Sequence, residues 1–360
     1  MSARVRVAVI TGGRSSERVI ALASARSVLG ALDPARYEVS TVEIARDGRW
    51  AVGSGALAEL AAANGHVQVS ETVSETVSEV VSETLPVPAS SSKVQAVLGA
   101  VDVAFPILHG PFGEDGTVQG LLELADVPYV GAGVTASALC MDKDLFKAVM
   151  RDHGIPVTRN ITLRGGDRIR NPFGYPVFVK PARLGSSVGI TKVRRESELE
   201  AAVELARRHD EKVLVEEFVS GVEVEVGVLG NRRPIASIPG EIVAHGFDAA
   251  DWYDYSAKYD EGGMDLIVPA RVSEEQLARV QELAIRAFVA TECEGMARAD
   301  CFVRDDGEVL VNELNTIPGF TATSVYAKLF EDSGIPYGEL LDRLVELALE
   351  RHERKSRLLY

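Results

Sequence analysis

Hydrophobic and polar positions divide the chain into short, well-marked segments. Val5–Ile10 is apolar apart from Arg6 and predicts a strand. Thr11-Gly12-Gly13-Arg14-Ser15-Ser16-Glu17 then leads into a helical pattern that ends near Leu32, with Glu17 in its first turn. Tyr37–Ile44 reads as a second strand and Asp47-Gly48 as a turn. Further on, the strand Val101–Leu108 enters a glycine-rich stretch, His109–Gly116. Asp115 opens a helix through Leu124, Val127–Val130 is a short strand, and a helix runs from Asp142 to about His153. Strand, glycine loop and helix is how open parallel α/β sheets begin, with ligands held beyond the strand's carboxyl end.

A second group of segments follows. Tyr175–Lys180 is a strand, Ala182–Gly189 a loop rich in Gly and Ser, and Val188–Val193 the returning strand. The helix Glu196–Arg208, the strand Val213–Phe218 and the alternating Glu223–Leu229 come next. Asp251–Tyr259 is an aromatic, polar loop of the kind that often covers a site. A helix spans Ser273–Ala290, two alternating runs cover Met296–Val303 and Glu308–Leu314, and an amphipathic helix closes the chain over Pro336–Arg351. The expected domains are 1–131, 132–216 and 217–360.

The two alternating runs flank Asp305-Asp306-Gly307 and predict a β-hairpin. With Asp306-Gly307 as a two-residue loop, Asp300 faces Glu313 and Arg298 faces Asn315, all on one face. Carboxylates placed opposite each other cost stability unless a cation lies between them. Two carboxylates and an amide suit a hard ion such as Mg²⁺, and Arg298 adds a permanent planar cation. A solvated hairpin whose charges alternate with core residues has the same spacing, and a longer loop would shift the opposition.

Composition narrows the partners. A chain of 360 residues exceeds the usual single core, so two or three domains are expected. The formal charge of −15 disfavours nucleic acid or an anionic membrane as the main partner. No apolar run has the length of a membrane span, and the N-terminus lacks a signal-peptide layout. Cys140, Cys293 and Cys301 show no metal or redox spacing, so buried reduced thiols and a cytoplasmic location are expected. From Ser70 the chain reads SETV SETV SEVV SETL, followed by Pro86, Pro88 and Ser90–Ser92. The β-branched residues disfavour an isolated helix, so roughly residues 53–92 read as an acidic surface insertion without chemistry.

Several residues stand where ligands are usually bound, though each also has an ordinary structural reading. Glu17 is favoured by the helix dipole, with or without a ligand. His109 ends a strand before a glycine loop, a common place for substrate contacts and for structural histidines. Lys143, in a first helical turn, opposes the dipole unless it meets an anion. The loop after Lys180 could wrap phosphates with N–H and hydroxyl groups, although it is not a Walker loop. The N-terminal glycine loop lacks GxGxxG, which argues against a dinucleotide site.

Taken in order, His109–Gly120 (HGPFGEDGTVQG), Ala138–Lys143 (ALCMDK), Lys180–Gly189, Tyr253–Tyr259, Arg298–Asp300 and Asn312–Gly319 with Ser324 resemble D-alanine–D-alanine ligases of the ATP-grasp superfamily. The resemblance covers nearly the whole chain apart from the insertion and Gly165–Phe173. It implies a three-domain ATP-grasp fold and the ATP-dependent joining of two D-alanines through a D-alanyl phosphate. D-alanine and ATP are the implied partners, and a cytoplasmic homodimer the implied form. Lys143 and Lys180 would hold ATP phosphates, with Ser186 and Ser187 closing over them. Glu216, Glu217, Val219 and Glu223 would line the adenine and ribose pocket, although Glu217 stands where some members have a basic residue. Asp300, Glu313 and Asn315 would bind a pair of Mg²⁺ ions, with Mn²⁺ as a possible substitute. Glu17, supported by a Ser186–Tyr259 link, would take the ammonium of the first D-alanine, with His109 near its carboxylate. Arg298 and the N–H of Gly319 would stabilise the tetrahedral intermediate, Ser324 would take the second carboxylate, and Lys258 the transferred phosphate. A D-alanyl-D-lactate ligase shares the same ATP machinery, and the intact YDYSAKY stretch favours the dipeptide. A nucleotide-binding regulator without turnover is disfavoured by the retained Arg298, lysines and carboxylates.

The insertion yields a direct test. Replacing Val69–Pro88 by a short Gly/Ser linker should leave ligation unchanged, since this composition buries little core. Steady-state rates of the folded deletion variant measure it; a large loss would place the segment near the substrates.

Overall fold

The computed structural model describes residues 3–52, 98–185, 188–244 and 264–359. The Ser-Glu tetrads, Ser186, Ser187 and the Asp251–Tyr259 loop, with Lys258 and Tyr259, lie outside the described residues. The chain divides into two compact units: Met1–Gly131 with Gly319–Ala327 and Pro336–Tyr360, and Ala132–Pro318 with Lys328–Ile335.

The first unit is built on a four-stranded sheet. Its strands are β1 (Val5–Gly12), β2 (Tyr37–Ile44), β3 (Trp50–Val52) and β4 (Val103–Pro106), in the order β3-β2-β1-β4. β1 runs parallel to both β2 and β4, and β3 is an antiparallel edge. Val7–Ile10 are fully buried, as expected for a central parallel strand. Their core partners include Val42, Ile44, Leu108, Leu122 and Tyr129. The helices Arg18–Ala31, Thr117–Leu124 and Tyr337–Ser356 belong to this unit. Phe320 packs its ring near Phe105, Tyr326 and Tyr337, so the returning segment is held by aromatic contacts.

The second unit holds two sheets. Strands β5 (Asn160–Leu163), β6 (Val177–Pro181), β7 (Thr191–Val193) and β8 (Val213–Glu217) form an antiparallel sheet of order β5-β8-β6-β7. Its apolar face meets Leu199, Val203 and Ala206 of the helix Glu196–Arg207. The larger sheet comprises β9 (Val222–Gly230), β10 (Ile235–Ala236), β11 (Gly240–Ala244), β12 (Met264–Ile267), β13 (Gly295–Val303) and β14 (Val309–Asn315). Its order is β12-β11-β9-β13-β14, with β10 paired to β9. The helices Val134–Met141, Lys143–Asp152 and Glu274–Ala290 contribute Cys140, Phe146, Leu283 and Phe288 to a core shared with Val226, Ala299 and Val311. Ser273 and Gln276 form a reciprocal capping box at the start of Glu274–Ala290. A helix also spans Val325–Asp332.

Several sequence expectations need correction. Val127–Val130 forms only an isolated bridge from Tyr129 to Ala104, not a strand. The strand expected over Val188–Val193 starts at Thr191, because Gly189 turns the chain with φ +74°. The helix expected at Asp115 starts at Thr117, after Gly116 at φ +90°; Asp115 accepts from the N–H of Thr117 at 3.1 Å.

The hairpin departs from its expected loop and still keeps its expected pairing. Its loop has three residues, since Arg304 N–H donates to Glu308 O at 2.9 Å and Gly307 N–H to Arg304 O at 2.9 Å. Gly307, at φ +89°, supplies the left-handed position that such loops require. Val303 therefore pairs with Val309, one residue away from the two-residue-loop register. A β-bulge between Asp300 and Cys301 absorbs the offset, with Asn312 as the extra residue on β14. Beyond it Asp300 pairs with Glu313 and Arg298 with Asn315.

Candidate active site

The larger sheet of the second unit sets three carboxylates abreast on adjacent strands: Glu225 on β9, Asp300 on β13 and Glu313 on β14. Asp300 and Glu225 are buried, and Glu313 is partly exposed. Arg298 lies two residues along β13 and forks onto Asp300, Nε to Oδ1 at 2.7 Å and Nη2 to Oδ2 at 2.7 Å. The same Nε is 2.9 Å from Oε2 of Glu225. Asn315 Nδ2 donates to Asp300 Oδ2 at 3.0 Å, and Lys143 Nζ stands 3.3 Å from Glu313 Oε2. Burial alone would lower the pKa of Arg298, but Asp300 and Glu225 outweigh it and raise it well above the ordinary value. Two side chains thus supply the positive charge that the carboxylates need. Glu225 was missed in the sequence; an acidic residue inside the apolar alternation of a central strand was the available signal.

Lys143, at the start of its helix, does meet an anion, and its Nζ also donates to Leu184 O at 2.9 Å. Asp142 caps that helix through Leu145 N–H at 3.1 Å. Both of its oxygens take Lys212 Nζ at 2.8 Å, which ties this turn to the start of β8.

One turn further on, Lys147 is fully buried against Glu216 and Thr158. Lys180 Nζ donates to the other oxygen of Glu216 at 2.7 Å. Desolvation pulls Lys147 well below the ordinary lysine range, although Glu216 opposes the shift. Burial would raise Glu216, but the charges of Lys147 and Lys180 prevail and hold its carboxyl low. Lys147 was missed because spacing by four from Lys143 also describes a solvated charged face. Glu217 points to a different partner: Arg159 donates to it from its backbone N at 2.7 Å and its Nε at 2.7 Å. A basic group therefore accompanies Glu217. Val219 and Glu223 are half-buried at the β8–β9 connection and the start of β9.

The first unit brings together the other predicted residues. Gly12 ends β1 at φ +90°, where a Cβ would lie 2.3 Å from Ile44 O, so only glycine fits. Five residues later Glu17 is the N-cap of the helix Arg18–Ala31, one position before the first turn in which it was expected. Glu17 is buried, and the chain at Gly110 approaches so closely that a Cβ there would lie 2.4 Å from Glu17 Oε2. Ser15 Oγ joins the two loops by donating to His109 O at 2.6 Å, and His109 itself is buried. The same helix holds the segment with Gly319 and Ser324: Ser24 Oγ accepts from Phe320 N–H at 3.1 Å and Ser27 Oγ from Ala322 N–H at 2.9 Å. Ser324 Oγ accepts from Thr321 N–H at 3.0 Å, which fixes its hydroxyl.

Removing one partner of a buried ion pair typically costs about 3–5 kcal/mol, because a charge is left uncompensated. Glu216→Gln should therefore destabilise the chain by roughly this amount, since it strands two ammonium groups. Lys147→Met should cost far less, as Glu216 keeps Lys180 and a buried charge disappears. In Glu216→Gln the folded state favours neutral Lys147 while the unfolded chain binds the proton, so the deficit should shrink between pH 7 and 9 as pH rises. Urea denaturation of the three proteins across that range checks both the order and the slope.

Known proteins resemble this chain in sequence and in fold. The family model described as D-ala D-ala ligase N-terminus matches residues 6–132, and that of the D-ala D-ala ligase C-terminus matches residues 149–346. A D-alanine--D-alanine ligase of Geobacillus thermodenitrificans is 43% identical over 370 aligned positions, covering 99% of each chain. The VanG D-Ala:D-Ser ligase of Enterococcus faecalis superposes with a TM-score of 0.80 at 36% identity, over 96% of this chain and all of that one (100%). The D-alanine--D-alanine ligase of Bacillus anthracis, solved in complex with ATP, superposes with a TM-score of 0.72 at 25% identity, over 98% of this chain and 100% of that one. With both family models matched and relatives of this identity spanning its length, the chain belongs to the D-alanine–D-alanine ligase family and has its ATP-grasp fold.

Proposed function

We propose the following division of labour for the reaction of this family, the ATP-dependent joining of two D-alanines into D-alanyl-D-alanine. The observation that carries it is Asp300 opposite Glu313, with Arg298 on one carboxylate and Lys143 on the other. Asp300, Glu313 and Asn315 are oxygen donors that fit a hard divalent ion. Among the described residues no cluster of three His, Cys, Asp or Glu side chains could hold a metal unaided. Oxygens of a bound nucleotide would complete the coordination, as is usual for Mg²⁺. These three residues would hold Mg²⁺, with Mn²⁺ as a substitute, and the ions would neutralise phosphate charge. Lys143 and Lys180 hold the phosphates of ATP, with Ser186 and Ser187 covering them, and Lys258 follows the transferred group. Glu216 acts through Lys180, while Glu217, Val219 and Glu223 belong to the base and ribose pocket.

Glu17 receives the ammonium of the first D-alanine and His109 lies near its carboxylate. A carboxylate oxygen attacks the γ-phosphorus of ATP; the bond to ADP breaks and D-alanyl phosphate forms. The amine of the second D-alanine, its carboxylate on Ser324, attacks the carbonyl carbon. Arg298 and the N–H of Gly319 stabilise the resulting oxyanion, and phosphate leaves. The acyl phosphate must be kept from water, a task for the Ser186–Tyr259 link and its neighbouring loops. No helix among the described residues is long and apolar enough to cross a membrane. An ATP-consuming ligase is expected in the cytoplasm, here as a homodimer.

Glu313→Gln should fold but lose nearly all ligation, because the metal set loses a charge. Thermal unfolding should show the variant gaining less from Mg²⁺ with nucleotide than the parent does; undiminished turnover would remove the metal assignment. The choice of nucleophile needs its own test, since a D-Ala:D-Ser ligase superposes as well as the D-Ala relatives do. Given ATP with D-alanine, D-serine and D-lactate together, the chain should yield D-alanyl-D-alanine as its main product by mass spectrometry. Tyr259→Phe should raise the depsipeptide share, since a lost hydrogen bond costs about 1 kcal/mol. A parent that prefers another nucleophile would overturn the dipeptide reading.

A further inference from the structure

We infer that Glu225 is a positioning residue that takes over Arg298 when Asp300 turns to a divalent cation. The inference rests on the metal reading above. Asp300 is heavily engaged by protein donors: its Oδ1 accepts from Arg298 Nε at 2.7 Å, and its Oδ2 from Arg298 Nη2 at 2.7 Å and Asn315 Nδ2 at 3.0 Å. A carboxylate oxygen has two lone pairs, so Oδ2 can reach a cation only by releasing a donor. A cation at Asp300 would also stand beside a guanidinium of like charge, an arrangement that favours the departure of Arg298.

The place it can go is already in reach. Glu225 Oε2 is 2.9 Å from Arg298 Nε, so a small reorientation moves the fork from one carboxylate to the other. Glu225 is 4% exposed, which leaves it little solvent with which to satisfy its charge. It is not placed to be a third metal ligand beside Glu313. It pairs with Asp300 from the β9 side, and Glu313 pairs with Asp300 from the β14 side. With strands about 4.8 Å apart, the two glutamate backbones are separated by roughly 10 Å. Glu225 thus balances the arginine, and Glu313 is left for the metal. The guanidinium keeps its charge and its position on β13 throughout, available to the developing oxyanion.

The first test uses the unmutated chain crystallised with Mn²⁺ and ADP. Mn²⁺ should lie on Asp300 and Glu313, with Arg298 forked on Glu225. Mn²⁺ there with Arg298 still forked on Asp300 would overturn the inference and leave the metal reading intact. No Mn²⁺ at these carboxylates would overturn both. The second test uses Glu225→Gln, which keeps the shape and removes the charge. Its kcat should fall between about 10- and 100-fold, the usual effect of a residue that orients a working group. Its KM for ATP should stay within about twofold of the parent's, since the base and phosphate contacts are untouched. Glu225→Asp, which retains the charge, should recover most of the rate. Parent-like kcat in a folded Glu225→Gln protein, or no recovery in Glu225→Asp, would sink the assignment; if the glutamine variant does not fold, the crystals of the unmutated chain decide.

Discussion

Three carboxylates side by side on neighbouring strands are a repulsive arrangement, and in the second unit it is held by two cations. Glu225, Asp300 and Glu313 occupy adjacent places on β9, β13 and β14, and Arg298 and Lys143 stand among them. Isolated charges buried this deeply would neutralise themselves or unfold the sheet. Their retention is understandable if the same negative charge later holds cations in a nucleotide complex. The lysines obey the same rule. Lys143 has Glu313, Lys180 and Lys147 share Glu216, and Lys212 has Asp142. Each of these four lysines therefore has a carboxylate nearby.

The first unit relies on backbone fit more than on charge. Glycine after His109 lets that loop close on Glu17, and glycine at the end of β1 lets the chain pass against Ile44. The helix beginning just after Glu17 then fixes a segment some 300 residues away through Ser24 and Ser27. Ser24 is fully buried and Ser27 partly exposed, and their hydroxyls do a backbone partner's work at Phe320 and Ala322. One helix therefore sets the spacing of Glu17, Gly319 and Ser324, residues widely separated in the chain.

Much of this was legible because alternation and turn chemistry are local. The strand Tyr37–Ile44 could be bounded to the residue, and the strand, glycine loop and helix that begin at Val5 read as the start of an open parallel sheet. The Asp300–Glu313 opposition was also legible, but through two offsetting differences: a loop one residue longer than supposed and a bulge that restored the pairing. The helix Val134–Met141 escaped notice since it is short and largely apolar, with no periodic contrast to read. Lys147 and Glu225 were hidden for another reason. Their meaning comes from partners on other strands and helices, and spacing along the chain cannot distinguish a buried ion pair from a wet surface charge.

The bulge at Asn312 also constrains how this hairpin can vary by descent. Between the closing pair Arg304–Glu308 and the pair Asp300–Glu313, β13 carries the three residues 301–303 and β14 the four residues 309–312. The Asp305-Asp306-Gly307 loop can therefore change length without disturbing Asp300 and Glu313, as long as Arg304 and Glu308 still close it. Losing Asn312 would make the ladder regular and also leave Asp300 opposite Glu313. Losing a residue between Cys301 and Val303 would leave β14 two residues longer over this stretch, more than one bulge residue takes up, and would displace Asp300 from Glu313. Length changes are therefore tolerable in the loop and at the bulge, and damaging on β13 between them.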